Sequence, residues 1–161
     1  MSTKDVLSNQ FAYCSHVNGG WFVTFENAIK GLSSEDAYKK PGESANSIHE
    51  IVVHLNFWNK RYLERFLGQP NNDRVEDNNV TFKNEETWND SAANFQRIME
   101  KWIAALTECE EAKLDLPNEE DRSEPWRVKL TNLVLHNAHH IGQIVTTRKI
   151  MGNWDPKYGV S

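Results

Sequence analysis

Apolar residues recur at three- and four-residue spacing along four long stretches of the chain, separated by polar, turn-rich connections. That spacing marks amphipathic helices, and no stretch shows the alternation of a half-buried strand. The first stretch runs from about Lys4 to Lys30, with Val6, Phe11, Tyr13, Val17, Trp21, Phe22, Phe25 and Ile29 in phase. Ser2 or Thr3 can cap it, and Asp5 is well placed in its first turn. Gly19-Gly20 interrupts the stretch. Two glycines cost about 2 kcal/mol in a helix interior relative to Ala, so a kink or a close backbone approach is expected there. Gly31 is a natural stop.

Leu32 to Gly42 is a connection in which Ser33-Ser34-Glu35-Asp36 can start one short helical turn. The second long stretch opens on Ser47 with Glu50 three residues on, a capping box, and runs to Gly68 with Pro70 just beyond. Ile51, His54, Leu55, Trp58, Tyr62 and Phe66 form its apolar face. Gln69 to Asn84 is polar and reads as a loop. The third stretch begins near Asn84 or Glu85, with Trp88, Ala92, Phe95, Ile98, Trp102, Ala105 and Leu106 as its buried stripe. Glu110 to Arg127, acidic and holding Pro117 and Pro125, is a second long connection. The fourth helix is read from Leu130 to Gly152, and Trp154 in the irregular tail can dock back onto the bundle. The pattern predicts an all-α four-helix bundle, with long connections between helices two and three and between three and four.

At 161 residues the chain is expected to form one domain, residues 1–161. A net charge of −5 and the absence of any Lys/Arg stripe argue against nucleic-acid binding. No apolar run approaches the roughly 18 residues of a membrane span, and the first ten residues lack the apolar core of a signal peptide. Cys14 and Cys109 are too few and too isolated for a disulfide framework, so both are expected as reduced thiols in a cytoplasmic protein.

The chemistry sits in the histidines. Helix four carries His136, His139 and His140, half of the six in the chain. Positions four apart on a helix differ by about 40° around its axis, so His136 and His140 share one face with Leu133, Gln143 and Ile144. That face is expected to point into the core, where two imidazoles need partners. His54 lies on the core-facing stripe of helix two. Three neutral nitrogens around a divalent ion, with water in a fourth position, is an open arrangement of the catalytic kind. The plain alternative is three unrelated core histidines. His139 can replace His140 in the pair as far as helical spacing goes. His49 to His54 imitates HExxH but has one residue too many, and five positions place the rings about 140° apart. His16 has no partner at useful spacing.

Several of these residues carry a resemblance. The run Ser47-Ile48-His49-Glu50-Ile51-Val52-Val53-His54-Leu55 with Trp58, the run His136-Asn137-Ala138-His139-His140-Ile141-Gly142-Gln143-Ile144, and the terminal Gly152-Asn153-Trp154-Asp155-Pro156 together resemble the DinB/YfiT-like superfamily. Its members are described as candidate metal-dependent enzymes on a four-helix bundle. The resemblance covers nearly the whole chain. It implies metal ligands at His54, His136 and His140, and a homodimer.

Three imidazoles suit zinc, nickel, iron or copper, with zinc and nickel foremost. An ion held by neutral ligands keeps its full charge, which can ionise a bound water or a thiol. The resemblance therefore implies a metal-dependent enzyme acting on a small molecule, by hydrolysis or by transfer of a low-molecular-weight thiol. A non-catalytic metal-binding or stress-response protein is the alternative. An enzyme is expected to line its pocket with some of Trp21, Trp58 and Trp102. Glu50, one turn before His54, is a weak candidate for proton transfer, with the capping box as its stronger role. Gln143 is a second weak candidate, for bonding a ligand or a bound water, and Glu26 has no positive support. Gly142 is read as a point where a neighbouring helix approaches closely.

Overall fold

The computed structural model describes residues 1–69, 71, 75–118 and 124–159. Among them are six α-helices and no β-strand. Helix α1 (Thr3–Ser15) starts under Ser2, whose side chain accepts from the Asp5 N–H while the Asp5 carboxylate accepts from the Ser2 N–H. It ends at Ser15, far short of the expected Lys30. The glycine pair does not kink a continuous helix; it lies in a turn that folds back on α1. A Cβ on Gly19 would come within 3.1 Å of the Tyr13 ring, and one on Gly20 within 3.3 Å of Tyr13 Cβ. A side chain at either position would press on Tyr13, so the close approach favours glycine. Helix α2 (Phe25–Ile29) restarts under a Thr24 cap, and α3 (Ser34–Tyr38) is the short turn expected after Ser33.

Helix α4 (Ile48–Phe66) carries the predicted capping box of Ser47 and Glu50. Gly68 follows it with φ of 75°, the left-handed conformation that glycine adopts without strain. Pro70 lies outside the described residues. Helix α5 (Trp88–Glu108) begins later than Asn84 or Glu85, because Thr87 is the residue whose hydroxyl accepts from the Asp90 N–H. Its whole predicted stripe is buried. Helix α6 (Trp126–Ile150) begins about a turn before Leu130, directly after Pro125. The two long connections are not bare loops. The first holds a 3₁₀ turn, Asn78–Phe82, packed on α4. The second holds another, Glu111–Asp115, and is closed by the Asn118 N–H on Glu124 O and the Trp126 N–H on Leu116 O.

Helices α1 and α4 each pack against both α5 and α6, which makes the four-helix bundle. Its centre is aromatic. Phe11 stacks on Trp102 with centroids 5.1 Å apart, and Phe66 packs on both Trp102 and Trp126. The Trp102 N–H is satisfied by Asn59 O at 3.2 Å. The tail docks as expected: Trp154 packs half-buried on the core, with the Arg148 guanidinium 5.5 Å from its ring. Arg148 is itself buried and donates to the carbonyls of Ala28, Lys30 and Asn153, tying α2 and the tail to α6. No helix among the described residues is long and apolar enough to cross a membrane.

Candidate metal centre

Three histidines from two helices meet at one end of this packing. His54 on α4 is 2% exposed and His140 on α6 is 8% exposed, with His136 half-buried beside them. Ring centroids lie 5.0 Å apart for His54 and His136, 4.8 Å for His54 and His140, and 4.5 Å for His136 and His140. One ring nitrogen from each lies within 4.8 Å of the others, a cluster that could hold a metal ion. No fourth His, Cys, Asp or Glu joins it among the described residues.

The hydrogen bonds set the tautomers. Thr81 Oγ1 donates its proton to Asn78 O at 2.6 Å, so it can only accept from His54 Nδ1, also at 2.6 Å. Nδ1 of His54 is therefore the protonated nitrogen, and Nε2 carries the lone pair. Gln143 Oε1 accepts from His140 Nδ1 at 2.6 Å and fixes that ring in the same sense. His54 Nε2 faces His136 Nε2 at 3.0 Å, while His136 Nδ1 is buried with no hydrogen-bond partner among the described residues. Phe82 stacks on the His54 ring at 4.0 Å and 8°, holding its plane.

The electrostatics favour neutral rings. Burial, then the neighbouring His140 and His136, holds His54 down to about 3. Burial and the flanking His140 and His139 hold His136 down to about 4. Burial also lowers His140, against the raising effect of the Gln143 bond. The Nε2 lone pairs of His54 and His140 are satisfied by a donor or a cation; the His136 Nε2–H can be that donor for His54 at 3.0 Å, and a divalent ion can serve all three rings. For ligands at about 2.1 Å in a tetrahedron the nitrogens stand about 3.4 Å apart; here one pair lies at 3.0 Å and all three lie within 4.8 Å. The donor set therefore fits a divalent ion.

The remaining candidates are placed elsewhere. Glu50 stays in its capping box and pairs with Lys40 at 2.8 Å, away from the cluster's pocket. Glu26 is exposed in the first turn of α2. His139 is exposed, and its ring packs only on the edge of the set, 5.1 Å from His140. His49 turns to Glu86 O at 3.1 Å, and His16 bonds Ser15. Gly142 is exposed, and a Cβ there would meet nothing within 4 Å, so no helix approaches it. Of the three tryptophans considered, Trp58 lines the pocket at the cluster. Trp21 is 97% exposed, and Trp102 is sealed in the core. Cys14 and Cys109 are unpaired thiols, and burial pushes Cys14 up to about 12. Thr81 and Phe82 were not legible as site residues, because they lie in a polar connection that reads as loop. The one signal was Val80-Thr81-Phe82, a β-branched and aromatic triplet inside that polar stretch.

The bundle is similar to that of YfiT from Bacillus subtilis, described as a probable metal-dependent hydrolase with an unusual four-helix bundle topology. The likeness has a TM-score of 0.65 at 16% identity and covers 95% of this chain and 87% of that one. At that identity it establishes the fold. No curated protein matches the chain. The family model of the DinB superfamily matches residues 23–144, which contain the cluster, all of α4 and most of α6. With well over half of its length matched, this chain belongs to the DinB superfamily.

Proposed function

We propose that His54, His136 and His140 hold a divalent metal, zinc or nickel foremost, and that the protein is a metal-dependent enzyme acting on a small molecule. The observation that carries this is the open cluster: three neutral imidazoles, no fourth protein ligand among the described residues, and a pocket of about 450 Å³ beside them. A storage or structural site would be closed by a fourth ligand. YfiT, similar in fold and described as a probable metal-dependent hydrolase, supports the same direction.

When bound, a divalent ion on neutral ligands supplies Lewis acidity to an oxygen or sulfur placed beside it. Thr81 and Gln143 hold the His54 and His140 rings with their lone pairs available, and Phe82 keeps the His54 ring from turning. No Asp or Glu lines the pocket among the described residues. Either version must release one proton, from water or from a thiol, and with no carboxylate in the pocket that proton would pass to solvent; a thiol, with a free pKa of about 8.5 against about 15.7 for water, would give it up more readily. That favours the thiol version. A homodimer in the cytoplasm belongs to the same proposal, and solution mass tests the dimer.

Metal analysis of protein purified without added metal tests the assignment. Stoichiometric metal is expected in the native sequence and loss of it in His54→Ala, His136→Ala and His140→Ala. Undiminished metal in all three variants would defeat it. Reaction of model thiols with electrophiles, against ester hydrolysis, then separates the two chemistries.

A further inference from the structure

The pocket at the histidine cluster is a groove with a direction. Its α4 wall is a single stripe at four-residue spacing, His54, Trp58 and Tyr62. Successive ring centroids along it are 6.5 Å and 5.9 Å apart, and Trp58 and Tyr62 are stacked within 20°. Its α6 wall runs back from His136 through Leu133 and Asn132 to Lys129, seven residues or about 10 Å along the helix. Lys129 Nζ lies 5.2 Å from the Tyr62 ring, so the two walls converge at the end away from the cluster. Asn78 and Phe82 of the 3₁₀ turn line it as well.

The chemistry changes along this length. At one end are three imidazole nitrogens. In the middle are two half-buried aromatic faces, the surface on which a flat apolar body is held best. At the far end Lys129 is already paired with Glu124 at 2.8 Å, and both side chains are largely buried. A partnered ammonium does not provide net positive charge for an incoming anion without breaking its existing pair. Asn78 and Asn132 are uncharged.

The geometry points to a substrate class: a small molecule with a flat, apolar, uncharged body and one metal-seeking group at its end. That group sits at the cluster, and the body lies along Trp58 and Tyr62. The groove selects by shape and apolar area, and Trp58 and Tyr62 are the residues that set specificity. This rests on the metal reading above, so its test reads the two apart.

The probes are acetohydroxamate, which is a metal-seeking head alone, benzohydroxamate, which adds a ring, and 4-carboxybenzohydroxamate, which adds a charge to that ring. Each is titrated by calorimetry into the full chain loaded with zinc, whose content is measured first. Benzohydroxamate is expected to bind at least about tenfold tighter than acetohydroxamate, as burial of a ring allows. Trp58→Ala is expected to remove most of that gain, and Tyr62→Ala, on the neighbouring ring, part of it. The added carboxylate is expected to bring no further gain. A chain that takes up no zinc overturns the metal reading and this proposal with it. Zinc uptake with equal affinity for the first two probes overturns the groove alone. A tenfold further gain from the carboxylate overturns the uncharged body.

Discussion

At the scale of single residues, the cluster depends on two side chains that never touch its centre. Thr81 and Gln143 each accept the Nδ1 proton of a histidine. Such outer partners orient a ligand ring and raise its basicity, and losing one typically weakens metal binding by about 10–100-fold. Thr81→Val keeps the shape and removes the acceptor. Metal affinity, measured by competition with a chelator, is expected to fall by about that factor, with a smaller fall for the exposed Gln143→Ala. The same rings also make stability depend on pH. His54 and His136 titrate near 3 and 4 in the folded chain against 6.5 when unperturbed, and burial lowers His140 and His49 as well. The unfolded chain therefore binds more protons between these limits. The stability of the metal-free protein is expected to be full above about pH 6.5 and to decline as the pH falls toward 4 and then 3. Urea midpoints at pH 7.5 and 5 measure it. A His54→Gln, His136→Gln variant should show a shallower decline, and an unchanged slope would show that the cluster is not its source.

Between elements, α4 and α6 are joined by a buried amide pair. Asn59 Nδ2 donates to Asn137 Oδ1 at 2.7 Å, and Asn137 Nδ2 returns a bond to Asn59 Oδ1 at 2.9 Å. Both residues are fully buried. Asn137 directly follows His136, and Asn59 lies five residues beyond His54. A reciprocal pair between two helices is satisfied in one axial register, so it can set how the histidines of the two helices meet. Asn137→Ala is expected to cost about 1–3 kcal/mol in urea unfolding, because it strands the Asn59 amide. Replacing both with Leu should restore most of that stability, since an apolar pair leaves nothing unsatisfied. Metal binding of the double variant should nevertheless stay weakened. If its metal affinity equals that of the native chain, the pair contributes packing and no registration.

For the whole molecule, a ligand that binds only the folded chain stabilises it by mass action, about 2.7 kcal/mol at a concentration 100 times its Kd. In a chain of this size that corresponds to a rise of about 5–10 °C in Tm. Zinc or nickel is expected to raise Tm by that amount and a chelator to reverse it, while the His54→Ala, His136→Ala, His140→Ala triple variant should show no shift. A metal-induced rise that survives in the triple variant would place the binding site elsewhere on the chain.

The sequence by itself determined the parts of this protein that are local. Helix positions follow from three- and four-residue periodicity, and starts and stops from Ser47 with Glu50 and from Gly68, all fixed by neighbours within a turn. The His136–His140 pair was legible for the same reason, since four residues make one turn. The end of α1 at Ser15 was not, although Gly19-Gly20 marked an interruption a few residues on, where the chain turns back over Tyr13. The start of α5 was read a few residues early because Asn84 competes with Thr87 as a cap, and α6 starts at Trp126 directly after Pro125 with no side-chain cap to announce it. Only the tertiary structure brought His54 to His136 across 82 positions of sequence. It also folded Thr81 and Phe82 out of a polar connection onto the His54 ring, and it left Trp21 in solvent and Trp102 in the core while Trp58 faced the groove. The direction in which a side chain on a wide apolar stripe points is decided by the helix packed against it, and periodicity within one element carries no information about its neighbour.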